Sequence, residues 1–170
     1  EVREFLKIEI EGKINRNKKI FFPVKTLNGK VGKRLASEFS TKDGRIYLLD
    51  EGWFSNKDYY HFKNNIKIFN ETITGYIRFP RKAKYFTPDN NTNTNEWYTY
   101  DLVAISKFLK TPINQKFFIK KMNTNKEKNL IPSSHKYQFR NNHWQYAITW
   151  FSMSFVFFII YLISLKKKNT

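Results

Sequence analysis

The chain has no cysteine and only two methionines among its 170 residues. The first absence excludes disulfide frameworks, CxxC redox chemistry and thiolate metal sites. The second leaves few soft ligands for copper, so a copper-carrying role is not expected. Signatures of common chemistry are missing too: no Gly-rich phosphate loop, no HExxH, no GxSxG and no Asp-rich calcium loop occurs. His61 and His135 have no histidine or carboxylate at metal-binding helical spacing. The carboxylate pairs Asp50-Glu51 and Glu96 with Asp101 read as acidic residues of solvated loops rather than an acid and base couple. No catalytic constellation emerges, and an enzyme is not expected.

Carboxylates are outnumbered, 14 against 31 Lys and Arg, giving a formal charge of +17. Basic residues and aromatics together suit nucleic acid. Here, however, Lys and Asn are scattered along the whole chain beside abundant Ile and Phe, a compositional bias that requires no nucleic-acid partner. Contact with anionic membrane lipid is the electrostatic partnership that remains.

Charge is absent altogether from Asn141 to Leu165, and Lys166-Lys167-Lys168 close the run. About 25 uncharged residues exceed the roughly 20 that cross a bilayer at 1.5 Å rise each. Trp144, Tyr146 and Trp150 lie at the near end, where amphipathic rings favour the headgroup level. The basic flanks on the two sides nearly balance and leave orientation open. The sequence begins at Glu1 with no basic n-region and no apolar h-region, which predicts a first anchor or a signal sequence upstream.

The remaining 1–140 has the size of one domain, with 13 of the chain's 17 Phe and 8 of its 10 Tyr to furnish a core. Short runs of β type dominate. Phe5 to Ile10 places Leu6, Ile8 and Ile10 on one face. Ile20 to Val24 follows, confined by Pro23 to an edge or a strand end. Leu35 to Phe39 and Ile46 to Leu49 flank Thr41-Lys42-Asp43-Gly44, a hairpin signal. Ile66 to Ile77 holds one strand or a bent pair with Gly75 as a bulge, and Phe117 to Lys120 and Lys136 to Phe139 complete the set. Pro88 to Asn95 reads as an exposed, mobile loop. Asp101 to Lys110 reads as the one soluble helix, with Leu102, Ile105, Phe108 and Leu109 inward and Pro112 past its end. The expected fold is a mainly β or α+β domain, an antiparallel, barrel-like sheet with one short helix, followed by a transmembrane helix at 141–165 and a basic tail at 166–170.

His143 stands at the mouth of that span. If Asn142 caps the helix, the positive end of the macrodipole favours the neutral imidazole, the form that binds a metal. Lys136 and Arg140 just upstream, with the free N–H groups of the first turn, suit anionic groups such as propionates. Ala147 and Ser154 keep one helix face small, leaving room for a flat macrocycle or a second helix. The residues alone leave two readings open, a metal ligand or a histidine hydrogen-bonded at headgroup level.

The run Asn141-Asn142-His143-Trp144-Gln145-Tyr146-Ala147-Ile148-Thr149-Trp150 resembles the signature that opens the second transmembrane helix of the SURF1 (Surfeit locus 1) family of cytochrome c oxidase assembly factors. In the same order, Gly44 with Gly52-Trp53 resembles its hairpin ending in Gly-Trp, Phe86-Thr87-Pro88-Asp89-Asn90 its Phe-x-Pro-x-Asn loop, and Trp97-Tyr98 with Asp101-Leu102 its Trp-Tyr-x-x-Asp-Leu motif. The resemblance runs from Glu1 to the lysine tail.

It implies an N-terminal transmembrane helix, a β-rich domain in the periplasm or intermembrane space, and a C-terminal helix ending in the cytoplasm or matrix of a bacterial or mitochondrial inner membrane. It further implies a non-enzymatic role in delivering haem a to subunit I of the oxidase, alongside proteins of haem a synthesis and assembly. His143 would be the axial ligand, with Lys136, Arg140, Ala147 and Trp150 around the haem. An alternative is a scaffold that never touches haem and grips an oxidase subunit through Gly52, Trp53, Pro88, Trp97, Tyr98 and Asp101. Two departures stand out: Asp50-Glu51 replaces the family's usual Asn-Arg before Gly-Trp, and Trp144 replaces a commoner leucine or phenylalanine.

Overall fold

The computed structural model describes residues 2–123, 127–132 and 143–168. Contacts divide the chain into two compact units, Glu1–Lys136 and Tyr137–Thr170. The first is built on five strands, β1 (Lys7–Leu27), β2 (Lys30–Thr41), β3 (Ile46–Ser55), β4 (Ile68–Arg78) and β5 (Phe118–Lys121), closed into a barrel in the order β1-β2-β3-β5-β4. Helix α1 (Tyr59–Asn64) follows a 3-10 turn after β3, and α2 (Leu102–Leu109) lies between β4 and β5.

The expected sheet was antiparallel with one helix; the observed sheet is mixed and two short helices accompany it. Four junctions are antiparallel and β3 with β5 is parallel, Leu49 opposite Ile119 and Asp50 opposite Lys120. Strand directions can alternate around a closed ring only when the number of strands is even, so a five-stranded barrel must contain a parallel junction. Helix α1 escapes the sequence pattern because it is six residues long and buries only Phe62.

The first two expected strands are one. β1 begins at Lys7, two residues after Phe5, whose φ is 66°. It pairs with β4 from Lys7 to Asn15 and with β2 from Gly12 to Leu27. Arg16, Asn17 and Lys18 are extra residues against β2 between the Asn15–Glu38 and Lys19–Ser37 pairs, and they bend the strand. A second shift between Phe22 and Lys25 contains Pro23, which needs no ladder hydrogen bond there.

The hairpin forms as its sequence indicates: Gly44 has φ 81°, its N–H donates to Thr41 O at 3.0 Å, and Thr41 N–H donates to Arg45 O at 2.9 Å. Gly75 is not a bulge. It pairs in register with Ile8 and Lys121, and a Cβ there would stand 2.6 Å from Lys120 O, so glycine serves close strand approach. The expected strand at 136–139 lies outside the described residues.

Inside the barrel, Ile14, Phe39, Tyr47, Leu49, Ile73 and Ile119 form one buried cluster. On the outer face, Ile20, Phe22, Ala36 and Leu48 pack under Trp97, Leu102, Ile105, Leu109 and Phe118, so α2 and its approach cover the sheet. Phe21, Leu35, Phe54, Phe62 and Leu130 make a third cluster beneath α1.

α2 buries Leu102, Ile105 and Leu109, with Phe108 half-buried. Asp101 caps it by accepting from Val103 and Ala104 N–H at 3.1 and 3.0 Å, and Lys110 ends it in the left-handed conformation at φ 52°.

The second unit contains α3 (His143–Lys168). Its stretch His143–Lys167 has mean hydropathy 2.1 and is long and apolar enough to cross a membrane. At 1.5 Å per residue its length is about 38 Å, more than the roughly 30 Å of a hydrocarbon core.

Candidate functional site

His143 is the first residue of α3 and is exposed, and the first turn carries no acidic residue. Helical periodicity sets Ala147, Trp150 and Ser154 on the same stripe at i+4, i+7 and i+11. Ala147 is half-buried by its own helix, while Trp150 is 66% exposed and bounds the small-residue face. Trp144 and Tyr146 flank this mouth, both exposed. Thr149 returns its hydroxyl to Gln145 O at 2.9 Å. Lys136, Arg140 and the expected cap Asn142 lie outside the described residues. Among the described residues no group of three His, Cys, Asp or Glu is placed to hold a metal ion.

The sites predicted on the barrel are brought together pairwise. Gly52 has φ 148°, and a Cβ on it would meet Ile131 O at 2.3 Å. That close approach lets Trp53 form a two-way bridge with Ile131, N–H to O at 2.7 Å in both directions. Trp53 is 7% exposed and borders an open groove of about 650 Å³ whose rim includes Val31, Lys30, Lys57 and Lys128.

Trp97 is fully buried on the outer face of the barrel. Its backbone N–H donates to Phe21 O at 2.8 Å and its indole N–H to Asn95 Oδ1 at 3.0 Å. Asn90 joins this motif to the preceding one, since its Oδ1 accepts from Tyr98 and Thr99 N–H at 2.8 and 3.1 Å. The 88–95 loop is exposed over most of its length, as expected, and the side-chain amides of Asn90 and Asn91 fasten it by accepting backbone hydrogen bonds. Glu96 is paired with Lys33 at 2.8 Å.

Asp50 and Glu51 require a correction: neither lies on a solvated loop. Both are fully buried in β3, where Glu51 is the extra residue of a bulge between the Ala36–Asp50 and Leu35–Gly52 pairs. Consecutive residues of a strand face opposite sides, so the two carboxylates serve different layers.

On the inner side Glu51 accepts from Arg16 Nη2 at 2.7 Å and from Ser37 Oγ, and Arg16 Nη1 reaches Glu127 at 2.7 Å. On the outer side Asp50 accepts from Arg34 Nη2 and the Tyr100 hydroxyl, both at 2.7 Å, with Lys120 at 3.6 Å. A carboxylate pair inside Leu48-Leu49-Asp50-Glu51-Gly52-Trp53-Phe54 is the signal that sequence reasoning passed over. An apolar strand does not carry two charges unless cations meet them.

The electrostatics follow from burial. Burial alone would push the Asp50 carboxyl up, but Arg34, Lys120 and the Tyr100 hydrogen bond outweigh it and hold the group below the usual carboxylate range. Burial and then the Asp50 charge push the Tyr100 phenol well up. Burial opposes the Arg16 charge, yet Glu51 and Glu127 hold its guanidinium above the ordinary value. Lys19 moves the other way, down to about 8, chiefly through burial and then the Arg16 charge, with Glu51 opposing. These groups are matched donors and acceptors holding the barrel. They show no nucleophile with a base beside it.

Residues 1–155 match the SURF1 family profile. The chain is 28% identical over 162 residues to a SURF1-like protein of Rickettsia felis, an alignment covering 92% of this chain and 72% of that protein. It is 32% identical over 172 residues to a SURF1-like protein of Rickettsia prowazekii, covering 96% and 69% respectively. Against Surfeit locus protein 1 of Gallus gallus the identity is 31% over 81 residues, 48% of this chain and 26% of that one. With the match extending from the barrel into α3, the chain belongs to the SURF1 family, non-catalytic assembly factors of cytochrome c oxidase.

Proposed function

We propose that this protein holds haem a at the mouth of its membrane span and assists delivery of that haem to subunit I of cytochrome c oxidase. The observation that carries the reading is His143, exposed at the start of an apolar, membrane-length helix. A neutral imidazole is a ligand suited to haem iron. The apolar flank of α3, with its small positions Ala147 and Ser154 beside Trp150, suits a macrocycle with a hydrocarbon tail, and Lys136 and Arg140 supply charge for the propionates. A single protein ligand on an exposed helix end gives weak, reversible holding, which a carrier needs. In this reading the barrel lies in the periplasm or intermembrane space of an inner membrane, the Lys166–Lys168 tail on the cytoplasmic or matrix side, and a further helix precedes the barrel.

The test is the visible spectrum of the protein purified in detergent from cells making haem a, beside His143→Ala. Soret and α bands in the parent that vanish from a variant still inserted in membranes are the expected result. Equal haem in both would remove His143 as ligand. A second reading is favoured by the open groove beside Trp53, which offers a gripping surface for an oxidase subunit. Co-purification of subunit I without haem in either protein would select that scaffold role.

A further inference from the structure

The barrel end where β1 begins and β4 finishes carries a feature that neither the core nor the haem reading uses. Residues 79–88 leave β4 as a loop of sequence Phe-Pro-Arg-Lys-Ala-Lys-Tyr-Phe-Thr-Pro. At its tip Tyr85 and Phe86 are 95% and 92% exposed, well beyond Tyr60, the next most exposed large hydrophobic side chain of the described barrel residues at 73%. They are not loosely placed. Thr87 N–H donates to Lys84 O at 2.9 Å, Lys84 N–H donates to Thr87 Oγ1 at 3.0 Å, and the two rings pack edge to face at 5.0 Å. The turn thus presents two aromatic rings to the surroundings instead of folding them onto the barrel.

Charge around the tip is of one sign. Arg81 is 74% exposed and only approaches Glu4, at 3.9 Å. Lys82 and Lys84 are exposed and, among the described residues, meet no carboxylate. Beside the root of the loop, Arg78 is committed to Glu4 at 2.9 Å and lies over the ring of Phe5, so Phe5 and Leu6, both about half exposed, extend the apolar surface at this same barrel end. Asp89 is the one carboxylate that follows, beyond Pro88.

Aromatic rings at a tip flanked by arginine and lysine match the membrane interface, where rings settle at headgroup level and cations meet anionic phosphates. The chain also joins this domain to a membrane-length helix, so the loop meets a bilayer surface at the high effective concentration of a tethered group.

We propose that the 79–88 loop is a second membrane contact: Tyr85 and Phe86 enter the interfacial layer of an anionic leaflet, and Arg81, Lys82 and Lys84 engage its phosphates. The contact fixes which end of the barrel faces the lipid, and it requires the span but not the haem.

The chain's lack of cysteine makes the test direct. Ala83→Cys in the full protein is labelled with an environment-sensitive fluorophore, and Lys57→Cys after β3, at the opposite barrel end, serves as reference. Each is reconstituted into vesicles of phosphatidylcholine alone or with phosphatidylglycerol, with no other protein present. The label at residue 83 should shift to the blue and be quenched by lipids brominated in the acyl chain, more strongly with the anionic lipid, while residue 57 stays in water. Tyr85→Ser with Phe86→Ser should abolish the quenching. Each of Arg81→Gln, Lys82→Gln and Lys84→Gln should lower the contact population by about five-fold at low salt. All these side chains are exposed, so circular dichroism should match the parent. Emission at residue 83 indistinguishable from residue 57 in both vesicles would overturn the proposal. So would a shift that appears only when an oxidase subunit is added, which would make the loop a protein-docking element.

Discussion

Glu51→Gln tests whether the buried charges hold the barrel. Glu51 is fully buried and Arg16 is 2% exposed; the substitution removes one charge, replaces an acceptor oxygen with a donor and leaves the guanidinium inside with Glu127, itself 26% exposed. Removing one partner of a buried pair costs about 3–5 kcal/mol because the remaining charge is uncompensated. Glu127 retains part of the compensation, so about 3 kcal/mol is expected. For a domain of this size roughly 3–5 °C accompany each kcal/mol, giving a fall in Tm of about 10 °C. Near-ultraviolet circular dichroism of the detergent-solubilised protein follows the barrel aromatics through the transition. Arg16→Met combined with Glu51→Leu removes both charges and should recover the parent value within about 1 kcal/mol, since the desolvation cost disappears with the pair. A Glu51→Gln variant within about 1 kcal/mol of the parent, or a double variant no better than the single one, would refute the assignment of the pair to the barrel interior.

Gly52→Ala should cost about 2–4 kcal/mol, combining backbone strain at φ 148° with loss of the bridge to Ile131. Hydrogen exchange at the Trp53 and Ile131 amides should accelerate ahead of the rest of β3, and unchanged protection would show that the approach tolerates a methyl. Stability should also depend on pH at both ends. Lys19 binds its proton less tightly in the fold, at about 8, than in the unfolded chain at 10.5. Below pH 8 the fold therefore bears the full cost of burying that charge, and stability gains from this group as pH rises from 8 towards 10.5. Lys19→Met should flatten that rise, and an unaltered slope would remove Lys19 as its source. Asp50 gives a slope of the same sign in the acid range: its folded-state carboxyl lies below the ordinary range, so its contribution is present above that range and is lost as acid protonates it, and Asp50→Asn should blunt acid unfolding.

Much of the fold could be read from residue order. The Asp43-Gly44 turn, the alternation through Ile8 and Ile10, the α2 face with Asp101 before it and Pro112 after it, and the uncharged run into α3 are local signals, and each element appears where its signal lies. Apart from the short α1, the larger failures share a cause, which is that closure is not local. Asn15-Arg16-Asn17-Lys18-Lys19 looks like a connection because five polar residues separate Ile14 from Ile20. In the barrel they are a bend within one strand, and Arg16 is polar because it turns inward to Glu51. The parallel β3–β5 junction follows from the count of strands around the ring, which no window of sequence contains.

The same distinction separates the family's motifs from one another. Trp97 lies within the core, Asp101 caps a helix, Gly52 makes room for Ile131, and Asn90 fastens the loop that carries Tyr98. Each has a structural use that fully accounts for its side chain, so none needs a partner to explain it. Sequence alone could not sort them, because a glycine needed for its φ and a tryptophan needed for contact look alike in a motif. Among the described residues, Tyr85 and Phe86 are held out by a fastened turn and packed against no part of the core, and His143 stands exposed at the head of the span. Exposed groups that the fold holds in place but does not bury are therefore the positions at which the proposed haem contact and the proposed membrane contact are to be tested.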